Sequence, residues 1–261
     1  MACAACEYRF VNPRPTQAAI AAAYSDPHAY DHWLAEEGGR KRMWSKRLDL
    51  VERLAPERGR LLDVGAGIGT FLALARERGW SVAGTEVSDS ALRLAESRHG
   101  LALVQSQLES ADLRPGFDVV TLWHVLEHVP SPFRTLRAAR RLLSPGGLVV
   151  IAVPNDAAAM LVPRRLKRFL TRQEFHRYEP VTPGQEIHLS HFSPAVLRRL
   201  LLRTGFAPRR VTVDDQYPTP NALTEARVTA TRLLAAGTGI NLGNSLLVSG
   251  RSSGSEPGEP A

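Results

Sequence analysis

The 261-residue chain is poor in cysteine and lysine and has no long apolar run, and each shortage excludes something. Only Cys3 and Cys6 are present, both near the start, so no disulfide framework staples the fold and stability has to come from a core. Apolar runs are broken by charge well before the ~20 residues that a membrane span requires. The N-terminus also lacks the basic-then-apolar pattern of a secretion signal. A cytoplasmic enzyme is therefore expected. Arginine far outnumbers lysine and gives a net charge of +7 amid abundant Ala, Gly and Pro, a bias that GC-rich coding also produces. Such a balance can attract nucleic acid, anionic lipid or phosphorylated metabolites, but no basic-aromatic module accompanies it, which argues against nucleic acid.

What is present fits one α/β domain with additions. Helical spacing runs over Thr16–Ala23 and over Arg40–Leu54, where Trp44, Leu48, Val51 and Leu54 recur. Strands at Arg60–Val64, Ser81–Thr85, Ala102–Gln105, Phe117–Leu122 and Leu148–Val153 are interleaved with helices at 71–76, Ser90–Ser97 and Pro132–Leu143, a rhythm that predicts a parallel sheet. After Pro154 the rhythm breaks. A basic stretch Pro163–Arg172 and a Pro/Gly loop at Tyr178–Glu186 lead into a helix at Pro194–Thr204, with Ser193 as its cap, as expected of an insertion over one sheet end. A strand at Arg209–Val213, a helix near Leu223–Leu234 and a strand at Ser245–Ser249 complete the domain. The expected organisation is an N-terminal segment and helical lid at 1–42, a main domain at 43–250 with its insertion at 155–192, and a disordered tail at 251–261.

Gly65-x-Gly67-x-Gly69 follows a strand and opens a helix, so the backbone can turn tightly and offer its N–H groups to a ligand without interference from Cβ atoms. Glu86 lies about twenty residues on, at the end of the second strand, where a carboxylate can accept both hydroxyl protons of a ribose. Asp63, two residues before the first glycine, can order the turn or face a ligand's ammonium group.

The segment Leu61–Thr70 resembles motif I of the class I S-adenosylmethionine (SAM)-dependent methyltransferases. Phe117–Val129 and Leu142–Leu148 resemble that family's fourth strand with its following turn and the approach to its fifth. The GxGxG spacing and Asp63 favour SAM over NAD, the alternative ligand for a Rossmann-like domain. The resemblance covers about 43–250 and is strongest with the small-molecule branch that includes ubiquinone-biosynthesis-type O-methyltransferases. It implies a Rossmann-like, doubly wound, mostly parallel seven-stranded sheet, with SAM as cofactor and S-adenosylhomocysteine (SAH) as product. By the same resemblance Gly65 and Gly67 line the methionine part of SAM, with Asp63, Ala66 and Gly69 in the same turn. Glu86 takes the ribose, Gln107 and Leu108 the adenine edge, and His124 the pocket floor.

Methyl transfer from a sulfonium needs alignment, desolvation and sometimes a base. His128, just past a strand's carboxyl end, is the first candidate base, and His188, in the loop before the Ser193 cap, is the second; structural hydrogen bonding is the alternative for each. His124-x-x-Glu127-His128 formally matches a zinc-protease signature, but that signature needs a helix, and Val129-Pro130-Ser131-Pro132 breaks one. No metal dependence is expected. Cys3-x-x-Cys6 with Asn12-Pro13-Arg14-Pro15 resembles the end of an N-terminal zinc ribbon whose first cysteine pair is missing; two ligands cannot close a tetrahedral site. The stretch Pro163–Arg172 reads as a solvated lid face, with peripheral contact to lipid or an anionic substrate as its alternative.

The turn Leu122-Trp123-His124-Val125 lacks the Asn/Asp-Pro-Pro-aromatic motif that serves exocyclic amines of nucleic acids, and no Pro-Cys nucleophile for cytosine is present. The expected activity is methyl transfer to a hydroxyl of a small molecule such as a quinone precursor, sugar or secondary metabolite. The alternatives are a non-catalytic SAM-binding scaffold and a nucleic-acid methyltransferase; the oligomeric state is left open.

Overall fold

The computed structural model describes residues 1–16, 19–20, 30–156, 187–209, 211–214, 218, 222–239, 241 and 243–253. The basic stretch Pro163–Arg172, the loop Tyr178–Glu186 and most of the helix expected at Thr16–Ala23 lie outside them.

β2 (Arg60–Val64), β3 (Ser81–Glu86), β4 (Val104–Gln105), β5 (Phe117–Trp123) and β6 (Leu143–Pro154) form the parallel part of the main sheet. β10 (Ser245–Ser252) inserts antiparallel between β6 and β8 (Phe206–Pro208), giving the order β4-β3-β2-β5-β6-β10-β8. β9 (Thr212–Asp214) pairs with the other end of β10, off that path. The strand expected at Arg209–Val213 is thus two short ones that meet β10 at different points. The expected tail also begins too early, because Arg251 and Ser252 are strand residues paired with Leu148 and Phe206.

The central strands are mostly apolar because helices cover both faces, with Asp63 in β2 and Asp118 and Thr121 in β5 as polar exceptions. Side chains alternate, so Val120, Leu122, Val149 and Ile151 enter one core layer while Val119, Trp123, Leu148 and Val150 enter the other. On the second face α2 (Glu37–Leu54) buries Trp44, Leu48 and Val51 against α3 (Thr70–Glu77). On the first lie α5 (Pro132–Leu142) and α6 (Pro194–Arg203), whose caps Ser131 and Ser193 accept from Arg134 and Val196 N–H groups, each with proline in the first turn, as the sequence predicts for Ser193. α4 (Asp89–His99) follows β3, and α7 (Ala222–Thr238) contacts β9.

Two N-terminal pieces reach over the sheet's carboxyl end. β1 (Arg9–Phe10) pairs antiparallel with β7 (Ser190–His191), and Arg9 bonds Asp156 at 2.8 Å. α1 (Asp31–Ala35) brings Trp33 against the glycine turn.

Candidate functional site

Crossovers diverge on either side of β2 and β5, so a crevice opens where those two strands end. The turn leaving β2 has all its glycines at positive φ: Gly65 at 64°, Gly67 at 55° and Gly69, the N-cap of α3, at 77°. Space forbids side chains as well as conformation. A Cβ on Gly65 would lie 2.8 Å from Val125 Cγ2, and one on Gly67 would lie 3.0 Å from Trp33 Cζ3. Ala66 N–H is fixed on Thr85 O at 3.0 Å, tying the turn to β3.

Glu86 ends β3 and is buried, its Oε2 accepting from Gly67 N–H at 2.8 Å and its Oε1 from Val87 and Ser88 N–H at 2.6 and 2.9 Å. The acidic residue therefore shapes the turn as well as facing the crevice. Tyr30 packs nearby, and burial, followed by the Glu86 charge, raises its phenol well above the ordinary value. Asp63 is buried under the turn and accepts from Thr121 Oγ1 at 2.6 Å. Burial pushes its carboxyl up to about 7, with Glu86 adding to the shift and Thr121 and Arg47 opposing it.

Gln107 is exposed at the crevice rim, whereas the adjacent Leu108 is buried in the core layer beneath. Leu108 therefore supports the rim through packing.

His124 leaves β5 in the left-handed region, φ 56°, with its N–H on Ala152 O at 2.8 Å. That conformation ends the strand, and residues 124–130 form turns, so His124 and His128 do not share a helix face. The zinc-protease geometry is absent. His124 Nε2 instead lies 3.5 Å from Asp214 Oδ2 and 3.4 Å from Arg47 Nη2, and its Nδ1 lies 3.4 Å from Glu127 Oε1. Burial disfavours its protonation, but Asp214 and Glu127 outweigh that and raise it to about 9. Glu127 is 1% exposed, and its carboxylate makes no hydrogen bond; burial alone would raise it, yet His124 and His128 hold it below the carboxylate range.

His128 and His188 meet edge to face with ring centroids 4.9 Å apart, and His128 Nδ1 bonds Ile187 O at 2.8 Å. A carbonyl can only accept, so Nδ1 carries the proton. Glu127, His128 and His188 each bring a ligand-type atom within 4.8 Å of the others. Sequence reasoning singled out both histidines but not the company they keep. It missed Arg47, Asp214, Tyr30 and Trp33 entirely.

A profile of methyltransferase domains matches residues 32–211. The chain belongs to the class I SAM-dependent methyltransferases. A SAM-dependent methyltransferase from Thermotoga maritima described as a possible histamine N-methyltransferase superposes with TM-score 0.57 at 18% identity, covering 88% of this chain and all of that one. Magnesium protoporphyrin IX methyltransferase from Synechocystis, with bound SAH, gives 0.58 at 14%, covering 90% and 98%. Among curated proteins, ubiquinone biosynthesis O-methyltransferases from Pseudomonas paraeruginosa and Ralstonia nicotianae are each 37% identical, over 117 and 125 residues. Those matches take in 42% and 44% of this chain, which spans about half the length of the curated relatives it matches.

SAM is the cofactor of this family, and the residues present fit it. Three glycines bare the turn's backbone, Glu86 ends β3 beside the turn, and Asp63 supplies a carboxylate beneath it. No helix among the described residues is long and apolar enough to cross a membrane.

Proposed function

We propose that this methyltransferase acts on a hydroxyl of a small-molecule acceptor, such as a quinone precursor, sugar or secondary metabolite, and that His128 removes the hydroxyl proton with His188 beside it. SAM supplies the electrophilic methyl on a sulfonium. The chain's own work is to align the acceptor in line with that methyl, exclude water and take up the proton.

One observation carries the assignment of the base: Nδ1–H of His128 is spent on Ile187 O, which leaves Nε2 as the proton-accepting nitrogen. Glu127 Oε1 lies 3.8 Å from that Nε2, so the imidazolium formed on proton uptake has a buried counter-charge. In support, His188 enters from the segment that follows the insertion, where an acceptor pocket would be closed. The ubiquinone biosynthesis relatives favour oxygen as the nucleophile. Turnover of labelled SAM with a panel of phenols, sugars and polyketide-type alcohols tests the reading. His128→Gln should lower kcat by about 10²–10⁴-fold while SAM affinity is kept. A variant as active as the parent would remove His128 from the reaction.

A second reading is favoured by the proximity of Glu127, His128 and His188, since one carboxylate and two imidazoles suit a divalent cation that would acidify the acceptor hydroxyl directly. Dialysis against a chelator separates the two readings. Activity that survives it supports the base, and activity restored only by added Mg²⁺, Mn²⁺ or Zn²⁺ supports the cation.

A further inference from the structure

Away from the glycine turn, α2, α7, β9 and β10 enclose a cavity of about 340 Å³. α2 turns Lys46, Leu50 and Arg53 toward it at helical spacing, and α7 adds Arg232. The floor is hydrocarbon from Val211, Val213 and Leu247, and Ala235 and Ala236 leave the space open. Lys46, Arg53 and Arg232 are exposed, and Lys46 and Arg53 have no acidic partner among the described residues. The one acid among the described lining residues, Asp214, is already held by Arg47 and His124.

Arg47 is the buried cation of the wall. Its Nη2 serves Asp214 and approaches His124, while its buried Nε has no hydrogen-bond partner. A cavity with cations at its rim, a buried guanidinium among its lining residues and an apolar floor matches a ligand with the converse pattern. Among the described residues no aromatic ring lines it for stacking a base, and Thr212 is the only neutral hydroxyl in its lining, a pattern that fits an anionic amphiphile better than a nucleotide or sugar.

We propose that this cavity binds an anionic amphiphile, a carboxylate or phosphate monoester on a short hydrocarbon chain. The volume sits at the lower end of the ~300–1,000 Å³ usual for small-molecule sites. None of Gly65, Gly67 and Glu86 lines the cavity, so the ligand is additional to SAM. The inference does not depend on which acceptor is methylated.

Octyl phosphate titrated into the full chain provides the test, with tryptophan fluorescence as readout because Trp44 and Trp123 flank the Arg47 guanidinium at 4.8 and 4.9 Å. Calorimetry supplies the affinity. Saturable binding is expected, tighter than that of inorganic phosphate or octanol by about tenfold or more. Combined Lys46→Glu, Arg53→Glu and Arg232→Glu should weaken it by at least about tenfold, with stabilisation by SAM retained as the control for folding. Ala235→Phe, which fills the space without touching charge, should give the same loss. Octanol binding as tightly as octyl phosphate, or affinity that survives charge reversal, overturns the proposal. Anionic phospholipid vesicles form a separate arm: sedimentation through the same cations without binding of octyl phosphate would mean a membrane-facing patch and sink the cavity.

Discussion

Arg47 Nη2 donates to Asp214 Oδ2 at 2.5 Å, joining residues 167 apart in sequence, and neither side chain is more than 4% exposed. The guanidinium lies over the rings of both Trp44 and Trp123, so α2, β5 and β9 converge on one charge. Removing one partner of such a pair leaves the other buried and uncompensated. Asp214→Ala should cost about 3–5 kcal/mol in denaturant unfolding, and changing Arg47 and Asp214 together to apolar residues should cost less than the sum of the single changes. Additive costs would mean that the two side chains do not act as a pair.

The same cluster sets a pH dependence. His124, raised to about 9 from 6.5, contributes stability that is complete below 6.5 and lost as pH climbs through about 9. Asp214 does the reverse at acid pH. Burial opposes its ionisation, yet Arg47 and His124 hold it at about 2 from 3.8, so its contribution is present above 3.8 and lost as pH falls through about 2. Melting temperatures measured between pH 6.5 and 9 should fall for the parent chain and fall less for His124→Gln; equal slopes would remove His124 as the titrating group.

Asp63 ties cofactor affinity to pH. With its carboxyl at about 7 in the unliganded chain, ionisation under the turn lowers stability as pH rises from 3.8 toward 7, and a bound ammonium group would offset that cost. SAM should therefore bind more tightly as pH rises through about 7, and Asp63→Asn should bind more weakly with a flatter profile. Calorimetry in buffers of different ionisation enthalpy would register the released proton; no proton release would place the ammonium elsewhere.

Trp33 and Gly67 are the subject of a double-mutant cycle. Gly67→Ala meets both a left-handed backbone, at about 1–2 kcal/mol, and the Trp33 ring. Pairing it with Trp33→Ala should recover the steric share and leave the backbone share, with a coupling of about 0.5–3 kcal/mol in SAM affinity. Zero coupling would mean that α1 stands off the turn when cofactor binds.

The glycine turn, Glu86 and the alternation of parallel strands with helices were legible in the sequence because each rests on local periodicity or on spacing within one βαβ unit. Ser193 was legible as a cap for the same reason. Arg47 was not, since one arginine in an amphipathic helix looks like solvated charge until the fold brings Asp214 to it. Trp33 lies in a five-residue helix too short to leave a periodic signal. Arg251 and Ser252 are polar, and polarity suggested a tail. They reach the rim of the sheet, where Arg251 can pair its backbone with Leu148 and still give its guanidinium to Gly146 O and Leu54 O at 2.9 Å.

The pairing of β1 with β7 has a consequence for how the protein is made. Tyr8, whose hydroxyl meets Ser190 Oγ at 2.5 Å, leaves the ribosome 182 residues before its partner. By then β2 through β6, with the glycine turn and Glu86, have all emerged, so the cofactor half is complete while the N-terminal strap has nothing to close on. Synthesis therefore finishes the crevice side of the sheet before the partner that the N-terminal strap closes on.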